Sequence, residues 1–290
     1  MKRVLAIDGG GMHGIIPAYI LREIEVAISA PVGRRFDLIA GTSTGGIIAL
    51  GLTSPGGMTA QQMLEFYWDH GPEIFKKRWT FPLTNKYRPD ALRRLLREKL
   101  GAGTILSESR PHCMVTAYHM VDRRLEVFKS WRGEAIKRWM AAMATSAAPT
   151  YFPPFMDWWD GGVSANNPAM CAYVEARRLW PDEPIRVVSL GTGTSVKSIG
   201  PRSRAARRPA AFALHKMISV FMDGQMDAPD YQLKHLLGRD YTRLQGPFRK
   251  ASDEMDDASE RQRATLVSDA QDIIRQHRHA YDDLIEELAA

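Results

Sequence analysis

Apolar residues recur along this chain in two alternating patterns: short solid runs that read as strands, and longer stretches of helical period. Residues 3–7 form the first strand, and a glycine-rich turn leads from it into a helical stretch at 15–29. A second strand at 36–40 runs into Gly41-Thr42-Ser43-Thr44-Gly45 and an apolar helix at 46–52. Residues 112–117 and 125–129 read as paired strands around the polar turn Asp122-Arg123-Arg124. A further buried strand at 185–190 ends at Gly191-Thr192-Gly193. Strands separated by crossover helices predict an α/β fold with a mostly parallel sheet covered on both faces.

Residues 58–110 are less regular. They carry Phe66-Tyr67-Trp68 and, beside Lys76-Lys77-Arg78, the run Trp79-Thr80-Phe81-Pro82. The plain expectation is a helical flap with its aromatics against the sheet; the sharper one is an interfacial lid that touches lipid headgroups. From 197 to 216 the chain holds Lys197, Arg202, Arg204, Arg207, Arg208 and Lys216 with no acid among them, which reads as a solvated loop or as a contact for an anionic partner. Residues 252–290 read as a charged helix with apolar stations at Leu266, Ile273, Tyr281 and Leu288. The expected organisation is one α/β domain over 1–245, with a lid-like insertion at about 58–110, and a helical tail at 246–290 packed on it.

Composition narrows the class further. With 290 residues, 44% hydrophobic and 25% charged, the chain can build a sizeable core without disulfide or metal staples. Two cysteines are too few for a disulfide framework, and no Cys/His zinc spacing occurs, so no metal is expected. The net charge of +6 suits an anionic partner such as a membrane surface or a nucleotide. The apolar stretch at 4–7 closes at Asp8, too short for a signal sequence. The most apolar candidate for a span, 140–159, is broken by Pro149, Pro153 and Pro154. The expectation is a soluble, cytoplasmic chain.

Three motifs carry chemistry. Asp8-Gly9-Gly10-Gly11-Met12-His13-Gly14 follows the first strand, and its Gly9, Gly11 and Gly14 satisfy the G-x-G-x-x-G pattern of dinucleotide sites. That use needs an acid at the end of the next strand to hold the ribose. Here Asp37 stands near the strand's beginning, and the strand ends in Ala40-Gly41. What remains is a turn whose converging amides, beside a helix N-terminus, cradle a phosphate or a developing oxyanion. The second motif, Gly41-Thr42-Ser43-Thr44-Gly45, matches the nucleophile elbow G-x-S-x-G and falls between strand and helix, where that pattern belongs. The alternative is that Ser43 merely caps the helix. A nucleophile needs a base, yet none of His70, His112, His119, His215, His235, His277 and His279 follows a late strand in a loop. A carboxylate is the other option. Asp160-Gly161-Gly162 follows Trp158-Trp159, and an aspartate desolvated there would act as a base near neutrality. An ordinary Asp-Gly turn explains the same residues equally well.

Taken together, in type, order and approximate spacing, these motifs resemble the patatin-like phospholipases. The stretch Ala144-Thr145-Ser146-Ala147-Ala148-Pro149-Thr150-Tyr151-Phe152-Pro153-Pro154 and the continuation Asn166-Asn167-Pro168 are similar to that family too. The resemblance covers about residues 3 to 240. It implies a three-layer α/β/α fold around a central, mainly parallel sheet. It also implies a phospholipase A-type acyl hydrolase with a Ser43–Asp160 dyad and no catalytic histidine. The amides of Gly9, Gly10, Gly11 and Met12 would form the oxyanion hole; Gly41, Gly45, Gly161 and Gly162 would shape the two catalytic turns. No metal or other cofactor is implied. The implied partner is a phospholipid surface, met peripherally at the inner membrane, with no nucleic-acid polymer. Cytosolic bacterial relatives include effectors of antiphage defence switched on by cyclic nucleotides, so the resemblance admits such an activator; it leaves the oligomeric state open. One position departs from the family: His13 stands where Arg or Lys is usual. A histidine titrating around pH 6.5 would make anion binding pH-dependent, unless only the backbone matters there.

Overall fold

The computed structural model describes residues 1–81, 83–133, 135–196 and 210–290, with the backbone alone at 210–219 and Asp223. In chain order the elements are β1 (Lys2–Ile7), α1 (Ile15–Ile28), β2 (Leu38–Gly41), α2 (Thr44–Leu52), α3 (Ala60–Ile74), α4 (Asp90–Lys99), β3 (His112–His119), β4 (Arg124–Lys129), α5 (Arg138–Thr145), β5 (Trp158–Asp160), α6 (Gly162–Ala165), α7 (Ala169–Leu179), β6 (Ile185–Leu190), α8 (Ala210–Leu237), β7 (Tyr241–Leu244), α9 (Glu260–Gln276) and α10 (Arg278–Ala289). One sheet runs β4-β3-β2-β1-β6-β7, parallel from β3 to β7 and closed by antiparallel β4. It is the expected three-layer α/β/α architecture.

Period-two alternation on the strands divides the core. Leu5 and Ile7 of β1 join Ile39, Cys113 and Val115 in a cluster under α1, α2, α3 and α9. Val4 and Ala6 point the other way, with Leu38, Ala40 and Met114, onto Ala169, Ala172 and Ala176 of α7. Small residues on that helix let it lie close to the sheet.

The elements that differ from expectation are short or set by distant contacts. Region 58–110 holds two regular helices. Thr59 starts α3 with a capping box, its hydroxyl accepting from the Gln62 amide while the Gln62 side chain accepts from the Thr59 amide. Leu92, Leu95 and Leu96 of α4 face inward while its arginines face out. The tail is two helices rather than one, yet Leu266, Ile273, Tyr281 and Leu288 are all buried as expected. The basic run at 197–216 lies outside the described residues up to 209, and beyond that forms the start of α8.

Strand β5 positions the site. β2 accompanies β3 only as far as the pair Gly41–Val115, then leaves the sheet. β4 occupies the opposite edge of β3, so the vacated edge takes β5, which pairs Asp160 with Ala117. The end of β5 therefore lies beside the point where the chain turns out of β2.

A buried ion pair ties the centre of the sheet to its far edge. Asp8, fully buried at the end of β1, accepts from Arg243 of β7 at 2.6 Å, and the same guanidinium donates to Ser189 of β6 at 2.6 Å. Asp8→Ala leaves that buried guanidinium with the more distant Asp230 carboxylate, 3.9 Å from its Nε, so denaturant unfolding should show a loss at the low end of about 3–5 kcal/mol. Removing both charges with Asp8→Asn and Arg243→Met should recover much of it.

Candidate active site

At the end of β2 the backbone doubles back within a few residues. A Cβ on Gly41 would sit 2.1 Å from the Gly45 carbonyl oxygen, and one on Gly45 2.2 Å from that of Ile7, so only glycine permits the turn. Ser43 between them holds φ 54° and ψ −121°, a strained conformation for a residue with a side chain. Buried threonines brace it. The Thr42 hydroxyl donates to the Ala165 carbonyl at 2.7 Å and lies 2.6 Å from the Thr116 hydroxyl, and the Ser43 amide donates to Thr145 Oγ1 at 2.8 Å.

Ser43 occupies the N-cap position of α2, but its side chain caps nothing. The hydroxyl instead donates to Asp160 Oδ2 at 2.6 Å. Asp160 is 1% exposed, and its other oxygen accepts from the Gly162 amide at 2.7 Å. Burial pushes the Asp160 carboxyl up to about 7, with the hydrogen bonds from Ser43 and Gly162 opposing the rise. Close packing requires the first of the two glycines that follow: a Cβ on Gly161 would meet Thr116 Oγ1 at 2.1 Å and the Thr116 carbonyl oxygen at 2.5 Å, whereas one on Gly162 would meet the movable end of Met222 at 2.5 Å. Among the described side chains no histidine bonds to Ser43 or Asp160 or lines their cleft.

The glycine turn after β1 lies against this pair; a Cβ on Gly9 would come within 3.1 Å of Ser43 Cβ. Its four amides are not equivalent, which narrows the expected oxyanion hole. The Gly9 amide donates to the Asn166 carbonyl at 3.0 Å and the Met12 amide to the Met255 carbonyl at 2.7 Å, so both are already satisfied. Gly10 and Gly11 have no amide acceptor among the described residues, and they remain as the available donors. The Met255 carbonyl also fills the space beside Gly11, 2.2 Å from where a Cβ would stand, so the turn presents no open pyrophosphate cradle.

Of the two readings of His13, the structure favours the one in which its charge plays no part. It is 5% exposed, its ring is tilted against Phe248 with centroids 4.6 Å apart, and its Nε2–H donates to the Ser252 carbonyl at 3.2 Å. Burial lowers its pKa to about 4, so the ring is neutral across the physiological range and does not titrate around pH 6.5. Its work is to hold the 248–255 segment against the glycine turn. Next along that segment, the buried Asp256 carboxylate accepts from Tyr87 Oη at 2.6 Å and from Lys86 Nζ. Thr145 stands in the 144–154 stretch that resembles the family, whereas nothing in the sequence pattern around Met255 or Asp256 marked them as neighbours of the site.

Ser43, Asp160 and Gly11 open into a narrow apolar cleft walled by Ile47, Phe66, Phe75, Leu92, Phe152 and Met222, among others. The arrangement brings together a buried serine hydroxyl, a carboxylate poised near neutrality, two amides without an acceptor among the described residues and a wall suited to hydrocarbon.

Residues 5–173, which contain all three motifs, match the model of the patatin-like phospholipases, and the chain belongs to that family. It is 31% identical over 250 residues to patatin-like protein 2 of Oryza sativa subsp. indica, an alignment covering 67% of this chain and 62% of the rice protein. It thus spans less than two thirds of that relative's length. It is also similar to bacterial proteins named cGAMP-activated phospholipase. One is from Escherichia coli (31% over 237 residues; 71% of this chain, 66% of the relative) and one from Pseudomonas aeruginosa (30% over 263 residues; 83% and 77%).

Burial of Asp160 has a cost that depends on pH. Its folded-state pKa of about 7 lies above the ~3.9 of an unfolded aspartate, so the native state binds this proton more tightly. Asp160 therefore lowers stability progressively as pH rises from about 4 to about 7, and the penalty is complete above that. Asp160→Asn should melt above the parent at pH 8, by the equivalent of roughly 1–4 kcal/mol, with the two curves converging near pH 4.

Proposed function

We propose that this protein is a phospholipase A-type lipid acyl hydrolase in which Ser43 and Asp160 form the catalytic dyad. The observation that carries the proposal is the 2.6 Å hydrogen bond from a strained, buried serine hydroxyl to a carboxylate poised near pH 7, at the floor of an apolar cleft. Ionised Asp160 takes the hydroxyl proton as Ser43 Oγ attacks the ester carbonyl carbon. Negative charge collects on the carbonyl oxygen, where the Gly10 and Gly11 amides and the N-terminus of α2 receive it. Each such donor is worth ~10²–10³ in rate. Collapse of the tetrahedral intermediate breaks the C–O bond to the lysolipid alkoxide, which takes the proton back from Asp160. Water, deprotonated by the same carboxylate, then hydrolyses the acyl-enzyme and frees the fatty acid.

The substrate surface is a phospholipid bilayer approached peripherally from the cytoplasm; among the described residues no helix is long and apolar enough to cross a membrane. Against the rival use of the Gly9–Gly14 turn for a dinucleotide stands the Met255 carbonyl lodged beside Gly11.

A second feature, activation by a cyclic nucleotide in antiphage defence, is favoured by the two bacterial relatives at 30–31% identity that are named for cGAMP activation. Fatty-acid release from vesicles should then be low for the protein alone and rise on adding cGAMP. Full activity without it ends this part of the proposal and leaves the dyad untouched.

For the dyad itself, Ser43→Ala and Asp160→Asn should each lower fatty-acid release by roughly 10³-fold or more, measured with activator present if one is needed. Ser43→Ala at parental rates overturns the proposal. Because the base must be ionised, the rate should rise with pH through about 7 and fall about tenfold per unit well below it.

A further inference from the structure

Two stretches of this chain concentrate positive charge: 197–216, which carries six lysines and arginines and no acid, and 76–99, which also carries exposed apolar side chains. Residues 76–99 contain nine lysines and arginines against two acids, Asp90 and Glu98, an excess of seven. The whole chain has an excess of six, so everything outside these twenty-four residues sums to −1. The same stretch presents the two most exposed large apolar side chains among the described residues, Trp79 at 91% and Leu83 at 92%.

Backbone hydrogen bonds on either side of position 82 set how these side chains project. The Phe81 amide donates to the Arg78 carbonyl and the Leu83 amide to that of Thr80, so successive turns project Trp79 and Leu83 from a loop. The loop is closed at its base, where the Arg78 amide donates to the Lys86 carbonyl at 2.9 Å. It is stitched to the cleft wall, where the Lys86 and Tyr87 amides donate to the carbonyls of Thr150 and Tyr151 at 2.9 and 2.8 Å. Asp256 holds Lys86 and Tyr87 from behind. Lys76, Lys77 and Arg88 are exposed around the loop, and the outer face of α4 adds Arg93 and Arg97. On its inner side the same region lines the cleft with Ile74, Phe75 and Leu92.

We propose that residues 76–99 are the docking face for an anionic lipid bilayer. Trp79 and Leu83 enter the boundary between headgroups and acyl chains, and Lys76, Lys77 and Arg88 bind lipid phosphates around them. This inference deepens the hydrolase proposal and rests on it for the identity of the surface, since the docked region also lines the Ser43 cleft through Ile74, Phe75 and Leu92. A nucleic-acid polymer has no use for a leucine projected into solvent beside its phosphates. A bilayer rewards both apolar insertion and flanking cations.

The test is vesicle sedimentation with the full chain carrying Ser43→Ala, so that lipid is not consumed. It uses phosphatidylcholine vesicles with and without one-third phosphatidylglycerol. The parent should bind the anionic vesicles, and binding should fall with salt. The triple variant Lys76→Glu/Lys77→Glu/Arg88→Glu should bind at least about 100-fold more weakly, at about fivefold per cation removed. Trp79→Ser/Leu83→Ser should weaken binding at every ionic strength. Arg178→Glu/Lys234→Glu/Arg278→Glu, with the same charge change elsewhere on the surface, should bind like the parent. Equal losses in this control and the first triple, or parental binding by both face variants, overturn the proposal. So does tighter binding of single-stranded DNA than of anionic vesicles with Trp79→Ser/Leu83→Ser silent. With Ser43 restored, hydrolysis of a soluble short-chain ester should be unchanged by the face variants. Loss of vesicle binding through this face alongside no ester hydrolysis in any version would retire the hydrolase proposal while leaving the docking face in place.

Discussion

A carboxylate kept from water against a serine hydroxyl is the constraint around which this molecule is arranged. Among the described residues, Asp160 has two hydrogen-bond donors, Ser43 Oγ and the Gly162 amide, where a hydrated carboxylate finds more. Burial raises the acid towards neutrality, with those two bonds opposing the rise, so that it changes charge near pH 7. Surrounding features keep the pair both dry and fixed. Gly161 passes so close to Thr116 that no side chain could intervene, and Thr145 holds the backbone of Ser43 while Thr42 anchors the turn to Ala165. The strain at Ser43 persists because these contacts over-determine its conformation.

How much of this was legible in the sequence follows from how local each feature is. The elbow could be read because its cause lies within five residues: two glycines where the chain meets itself, and a strand before and a helix after. The inward stations of the tail could be read because helical period needs only a few turns. Strand β5 could not. Its three residues, Trp158–Asp160, have no period, and they are a strand only because β2 leaves the edge of β3 after Val115. Residues 160–162 were therefore open to two readings, a base or a turn, until the far edge of another strand placed them beside Ser43. The start of α3 was legible and passed over; Thr59 and Gln62 stand at capping-box spacing.

The glycine turn shows the same limit at finer grain. Its sequence says that amides converge, not which are spoken for. Asn166 and Met255 decide that, by accepting from Gly9 and Met12 from far along the chain. The histidine at position 13 makes sense only with the tail in view. A lysine or arginine there would bring a charge into the contact with Phe248, where it would be desolvated, whereas the imidazole stays neutral and bonds the Ser252 carbonyl. Position 13 and the 248–255 segment are thus one packing solution, and the departure from the family pattern concerns the covering of the turn, not its charge.

Net charge, too, changes meaning once it is placed. A surplus of six spread evenly would be a statement about solubility; a surplus of seven concentrated on residues 76–99 is a local basic patch that attracts anionic partners to this face. The inner side of that region, through Phe75 and Leu92, is wall of the cleft, and its base is bonded through Lys86 and Tyr87 to Asp256. The residue before Asp256 is Met255, whose carbonyl holds the Met12 amide beside the amides of Gly10 and Gly11. Outer face, cleft wall, tail segment and glycine turn are thereby joined by consecutive contacts. Contacts from the loop that carries Trp79 reach the glycine turn through Lys86, Asp256 and Met255 without crossing the sheet.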